Sequence, residues 1–182
     1  MTLIDKWLVS TFTFVAMLSV GTECFAAGSA GECLTQLELK AMEDSFWAHY
    51  PSAEEFSSYA APDMDIATNV VDVAKINSEQ RTGSGRAVQL ASFLAEHPEH
   101  FLSFKTKHQP TYLYYVGRER SVDSMRASHE YPVGQCVSMF RFESDDKSCV
   151  AGQRLRVLSL TFIKEFNQTR LQGAQVAMEA CQ

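Results

Sequence analysis

The sequence predicts an α+β protein, with N-terminal helices packed on a three- or four-stranded antiparallel sheet and a C-terminal helix. Three observations carry this prediction. Apolar residues recur at helical spacing through much of 33–101, three segments rich in aromatic and β-branched residues follow Pro110, and residues 167–182 return to a helical period. No internal repeat or low-complexity stretch interrupts the pattern.

The first 26 residues stand apart. Trp7 to Gly21 form an uncharged run of about fifteen residues, bracketed by Asp5 and Glu23 and short of the roughly twenty apolar residues a spanning helix needs. Small residues follow, the pattern of a secretory signal peptide, with Cys24 and Ala26 at the small-residue positions before a cut that exposes Ala27. Glu23 directly precedes Cys24, where a lipoprotein signal wants a small residue, so lipidation is not expected. Removing 26 of 182 residues leaves 156, the size of one domain, and the expected division is a signal peptide over 1–26 and a single exported domain over 27–182. That domain carries 15 basic and 20 acidic side chains, a formal charge of −5. The excess of acid argues against a nucleic-acid partner, whose binding rests on phosphate neutralisation. No stable membrane span is expected after processing.

Cys24 leaves with the signal, and Cys33, Cys136, Cys149 and Cys181 remain as an even set in an exported chain, which predicts two disulfides. Domain termini are often close, so Cys33–Cys181 with Cys136–Cys149 is the expected pairing. One feature strains it: a regular hairpin in the connection would place Cys136 opposite a residue near Leu160.

Along the domain, Leu39, Met42, Phe46, Trp47 and Tyr50 form one apolar face with Lys40, Glu43 and Asp44 between them, a helix that Pro51 ends. Ser52 and Glu55 have the spacing of a capping box for a short second helix, closed by Pro62. Residues 63–80 have a loose helical period through Ile66, Val70, Val73 and Ala74 and are expected to be helical. RTGSGR (81–86) is a break before a helix reaching about Glu96, and a further short helix starts with Pro98 in its first turn. Strands are predicted over 111–117, 135–144 and 154–166. The final helix follows from Leu171, Ala174, Met178 and Cys181 on one face.

Four features could carry chemistry. Glu96, His97, Glu99, His100 and His108 gather imidazoles and carboxylates of the kind zinc takes, but Pro98 interrupts the helix that would align them and no H-E-x-x-H motif is present. No metal or cofactor is therefore expected. Gly83, Ser84, Gly85 and Arg86 put free backbone amides and a cation at a helix start, an anion-binding arrangement whose plain alternative is a helix cap; the loop matches neither a P-loop nor a nucleophile elbow. Lys105, Lys107, Arg118, Arg120 and Arg126 form a basic band interleaved with Tyr112, Tyr114 and Tyr115, whereas 32–65 holds eight acidic residues against Lys40 alone. Tyrosines on a strand supply contact area at low entropic cost, and a basic face steers anionic partners. Asn167-Gln168-Thr169 matches a glycosylation sequon, relevant in a eukaryotic source alone. No residue is tied into a nucleophile–base pair by a local motif.

The pattern thus favours an exported, disulfide-stabilised protein that binds a protein or cell-envelope ligand through Tyr112, Tyr114, Arg118, Arg120, Lys105 and Lys107. A small secreted hydrolase using His97, His100, His108 or His129 as base is the second expectation, and a structural or assembly factor the third.

Overall fold

Helix α1 (Gln36–His49) starts where Thr35 and Glu38 close a capping box in the computed structural model, which describes residues 32–116, 134–145, 147 and 149–181. The Thr35 hydroxyl accepts from the Glu38 amide at 3.2 Å and the Glu38 carboxylate accepts from the Thr35 amide at 2.7 Å. Ser52 caps α2 (Ala53–Ser58) by accepting from the Glu55 amide, whereas the Glu55 carboxylate turns to Ser45 and Tyr59. Strand β1 (Ala60–Thr68) and α3 (Val71–Glu79) follow. Helices α4 (Gly83–Glu96) and α5 (Pro98–Lys107) meet at His97, with Pro98 opening α5. Strands β2 (Thr111–Val116), β3 (Cys136–Glu143), β4 (Gln153–Glu165) and β5 (Gln168–Ala180) complete the chain.

The α+β class stands, but the sheet is mixed and five-stranded, in the order β1-β5-β4-β3-β2, with β1 parallel to β5 and the other pairs antiparallel. The expected helix over 63–80 divides into the end of β1 and α3. Pro62 does not close a helix; it lies within β1, an edge strand, inside the irregular stretch between the Ala60–Leu171 and Asp65–Gly173 pairs. The outer edge of β1 is covered by side chains. Asn77 bonds both the amide and the carbonyl of Ile66, and Arg86 donates to the Met64 carbonyl at 2.6 Å.

The expected C-terminal helix is instead β5. A turn at Phe166 and Asn167, both at positive φ (48° and 62°), joins β4 to β5 with a two-residue loop between the paired Glu165 and Gln168. Gln172 is left unpaired between Leu171 and Gly173, forming a bulge. That extra residue puts the buried Leu171 out of step with the alternating Ala174, Val176 and Met178, so the spacing Leu171, Ala174, Met178 imitates a helical one. The buried residues of the sheet join Phe46, Phe56, Leu90, Leu94, Phe101 and Phe104 of the helices in one core. Phe46 sits within an aromatic group, with ring centroids 4.6 Å from Trp47, 5.7 Å from Phe56 and 5.8 Å from Phe140.

All four cysteines are paired, but as Cys33–Cys136 and Cys149–Cys181. The correction follows from β5. A strand antiparallel to β4 carries Cys181 to the open end of the hairpin, where its amide donates to the Gly152 carbonyl at 2.9 Å, beside Cys149 and away from the N-terminal segment. That segment lies along the start of β3, with the Leu34 amide donating to the Ser138 hydroxyl at 3.1 Å. The β3–β4 register is also four residues from the expected one, since Phe140 rather than Cys136 faces Leu160. Sequence separations of 103 and 32 residues correspond to about 4.7 and 3.7 kcal/mol of loop-closure entropy removed from the unfolded chain.

Two predictions follow from the capping and the docking of α4. The Glu38 carboxyl is held below its ordinary 4.5 by the Thr35 amide and hydroxyl and then by Lys164. Its folded pKa is depressed, so its contribution is present above 4.5 and lost as pH falls below that value. A Glu38→Gln chain should therefore lose less stability than the parent on acidification through this window, measured by denaturant midpoints; parallel curves would contradict it. At Gly83, an added Cβ would lie 1.7 Å from the Ala61 carbonyl oxygen. Gly83→Ala should cost about 2–3 kcal/mol, and an unchanged melting temperature would show that α4 is not seated on β1.

Candidate functional site

Lys40, Glu43, Asp44, Trp47 and Ala48 recur at i, i+3, i+4, i+7 and i+8 and share one stripe of α1. Across from it lie Lys105, near the end of α5, and His108, Gln109 and Pro110, which lead into β2. The two walls enclose an open groove of about 360 Å³. A second cavity, between α1, α2 and the sheet, is apolar and about 10 Å³, room for one water at most.

The groove is built on a buried carboxylate. Glu43 is 7% exposed; the Tyr112 hydroxyl donates to its Oε2, and Lys40 Nζ stands 3.7 Å from the same oxygen. Burial, and then the bond to Glu43, push the Tyr112 phenol well above its ordinary range, so it acts as a fixed hydroxyl donor. Lys40 also pairs with Asp44. Trp47 packs edge-on against Phe46 and against Phe142 at 5.4 Å, and its buried Nε1 has no hydrogen-bond partner among the described residues. His108 stacks beside Phe104 at 5.1 Å. Lys105 is exposed and has no ion-pair partner among the described residues.

Of the residues singled out from the sequence, Lys105 lines the groove and Tyr112 holds its base. Lys107 is exposed at the end of α5. Tyr112 and Tyr114 are two apart on β2, but they differ in role: Tyr112 packs against the core, while Tyr114 and Tyr115 are 41% and 43% exposed on alternate sides of the strand. Arg118, Arg120, Arg126 and His129 lie outside the described residues.

Residues 83–86 are the first turn of α4 rather than a loop. Thr82 rather than Ser84 caps α4, accepting from the Gly85 amide at 3.1 Å, and Gly83 is buried against β1. The Arg86 guanidinium is engaged by the carbonyls of Gln80 and Met64. Nothing in these contacts selects an anion. The histidine-rich stretch divides: His97, Glu99 and His100 converge at the α4–α5 corner, while His108 belongs to the groove. Lys40, Glu43 and Trp47 were not marked as site residues by the sequence reading. Their signal was present, because a helical stripe that mixes both charges with an aromatic is unusual for a merely solvated face.

Removing the Tyr112 hydroxyl would leave the buried Glu43 carboxylate short of a donor. Tyr112→Phe should lower unfolding free energy by about 1–2 kcal/mol, read from urea denaturation. No change would mean that water or Lys40 replaces the bond in full.

Among the described residues no helix is long and apolar enough to cross a membrane. No protein-family model and no curated protein matches the chain. A solved structure described as a de novo designed protein with a curved β-sheet is similar over 75% of this chain and 96% of its own length, at 15% sequence identity and a TM-score of 0.36.

Proposed function

We propose that the chain is an exported binding protein, whose signal peptide ends at Ala26 and whose residues 27–182 form one disulfide-stabilised domain of the periplasm or extracellular space. Its ligand is a protein or an anionic polymer of the cell envelope. The observation that carries this reading is the groove between α1 and the α5–β2 connection, where an exposed cation, Lys105, faces an aromatic and a rigid polar base. The exposed Tyr114 and Tyr115 add contact area on the edge strand, and Arg118 and Arg120, close behind them in sequence, are proposed to add positive charge. Two disulfides suit an oxidising compartment.

The hydrolase reading draws on His108, which lines the same groove as Glu43 and Asp44. Binding is favoured over it because the Glu43 and Asp44 carboxylates are engaged by Tyr112 and Lys40 rather than by the His108 imidazole, so the described groove residues form no base–orienter pair.

The sequence holds two tryptophans, Trp7 and Trp47. Cleavage at Ala26 leaves Trp47 as the one indole of the exported form, so its emission reports on the groove directly. Secreted protein whose N-terminus has been sequenced should begin at Ala27 and show a saturable change in Trp47 emission when titrated with anionic envelope polysaccharide or with the envelope protein fraction. Lys105→Glu should weaken that response about fivefold or more, and raised salt should weaken it too. A retained leader would overturn export, and an emission unmoved by either ligand class would overturn binding at the groove.

A further inference from the structure

The corner between α4 and α5 concentrates donors that the groove does not use. His97 is at once the last cap of α4 and the first of α5: its amide donates to the Leu94 carbonyl at 3.3 Å and its carbonyl accepts from the His100 amide at 3.1 Å. Pro98, whose ring fixes φ, stiffens the step between them. The result brings His97, Glu99 and His100 to one point, their ligand atoms all within 4.8 Å of one another. Glu99 Oε1 lies 3.9 Å from His97 Nδ1 and 3.8 Å from His100 Nε2.

Those separations are too long for hydrogen bonds. They are close to the spacing of donors that share an ion, since bonds of about 2.0–2.1 Å in a tetrahedron put the donors about 3.4 Å apart. We propose that His97, Glu99 and His100 bind a zinc-class divalent cation, with the fourth position open to water or to a donor from a partner.

The environment favours this chemistry on two counts. The His100 side chain is 4% exposed, so the corner holds it in place, while His97 and Glu99 at 39% and 42% are free to close the remaining distance. The Phe93 ring, centred 4.7 Å from that of His97, supplies an apolar wall on one side of the site. Two imidazole nitrogens and one carboxylate suit zinc over magnesium or calcium, which take oxygen donors. His108, in the groove, is not part of the set, and the site does not depend on the groove's function.

The test is a titration of the full oxidised chain with zinc chloride against a chromophoric chelator, with melting curves in zinc and in magnesium. The parent should bind one zinc and melt higher with zinc but not with magnesium. His97→Ala and Glu99→Gln should each bind zinc about tenfold more weakly or worse, with metal-free melting temperatures matching the parent. His108→Ala should bind as the parent does. Should one variant fail to fold, the other still decides. Absence of saturable zinc binding by the parent would overturn the proposal, as would parental affinity in either folded variant.

Discussion

The pairing of β4 with β5 is the constraint on which the rest of the molecule depends. Thirteen residues on each side are joined by a two-residue turn whose Phe166 and Asn167 both adopt positive φ. The primed turn matches the right-handed twist of the strands, and the bulges at Arg156 and Gln172 bend them further. Each strand then offers its other edge to one neighbour, β3 against β4 and β1 against β5. The hairpin also supplies Leu158, Leu160, Phe162, Leu171, Val176 and Met178 to the core against which the helices pack. Helix α1 is fastened to its turn end by Lys164, which stands 3.2 Å from Glu38 and 3.4 Å from Glu32.

The two edges of the sheet are treated differently, and that difference shapes the functional reading. On β1, Asn77 and Arg86 occupy backbone groups of Ile66 and Met64 that would otherwise template another strand. On β2, the described residues present tyrosines to solvent beside a groove of mixed charge. A rigid base made of Glu43, Tyr112 and Lys40 costs a ligand little ordering when it binds. Lys105, exposed on the opposite wall, is the cation that the proposed binding would use. The histidine corner lies at the junction of α4 and α5 and offers a separate, nitrogen-rich chemistry.

Much of this was legible in the sequence because local signals agreed with the final fold. The apolar stripe from Leu39 to Tyr50, the Ser52 cap, the Pro98 start and the aromatic and β-branched runs that became β2, β3 and β4 are local signals that agree with the elements observed. Two strands escaped for stateable reasons. In β5, the Gln172 bulge displaced the alternation into a helical spacing, and in β1 Pro62 stood where a ladder strand would reject it, which is harmless at an edge. The cysteine pairing failed with β5, because a strand antiparallel to β4 carries Cys181 to the Gly152 end of the hairpin beside Cys149. For the site, Lys105 and Tyr112 were marked in advance. Glu43 and Trp47 were not, because their partners come from strands distant in sequence, Tyr112 bonding Glu43 across 69 positions and Phe142 of β3 packing on Trp47.

The strand nature of 168–180 and the disulfide connectivity stand or fall together. The most direct measurement is peptide mapping of the oxidised, unreduced protein by mass spectrometry after proteolysis at low pH, where exchange is suppressed. The account predicts disulfide-linked peptides joining Cys33 to Cys136 and Cys149 to Cys181. Peptides joining Cys33 to Cys181 would contradict it, since a C-terminal strand paired with β4 carries Cys181 to the wrong end of the sheet for that bond.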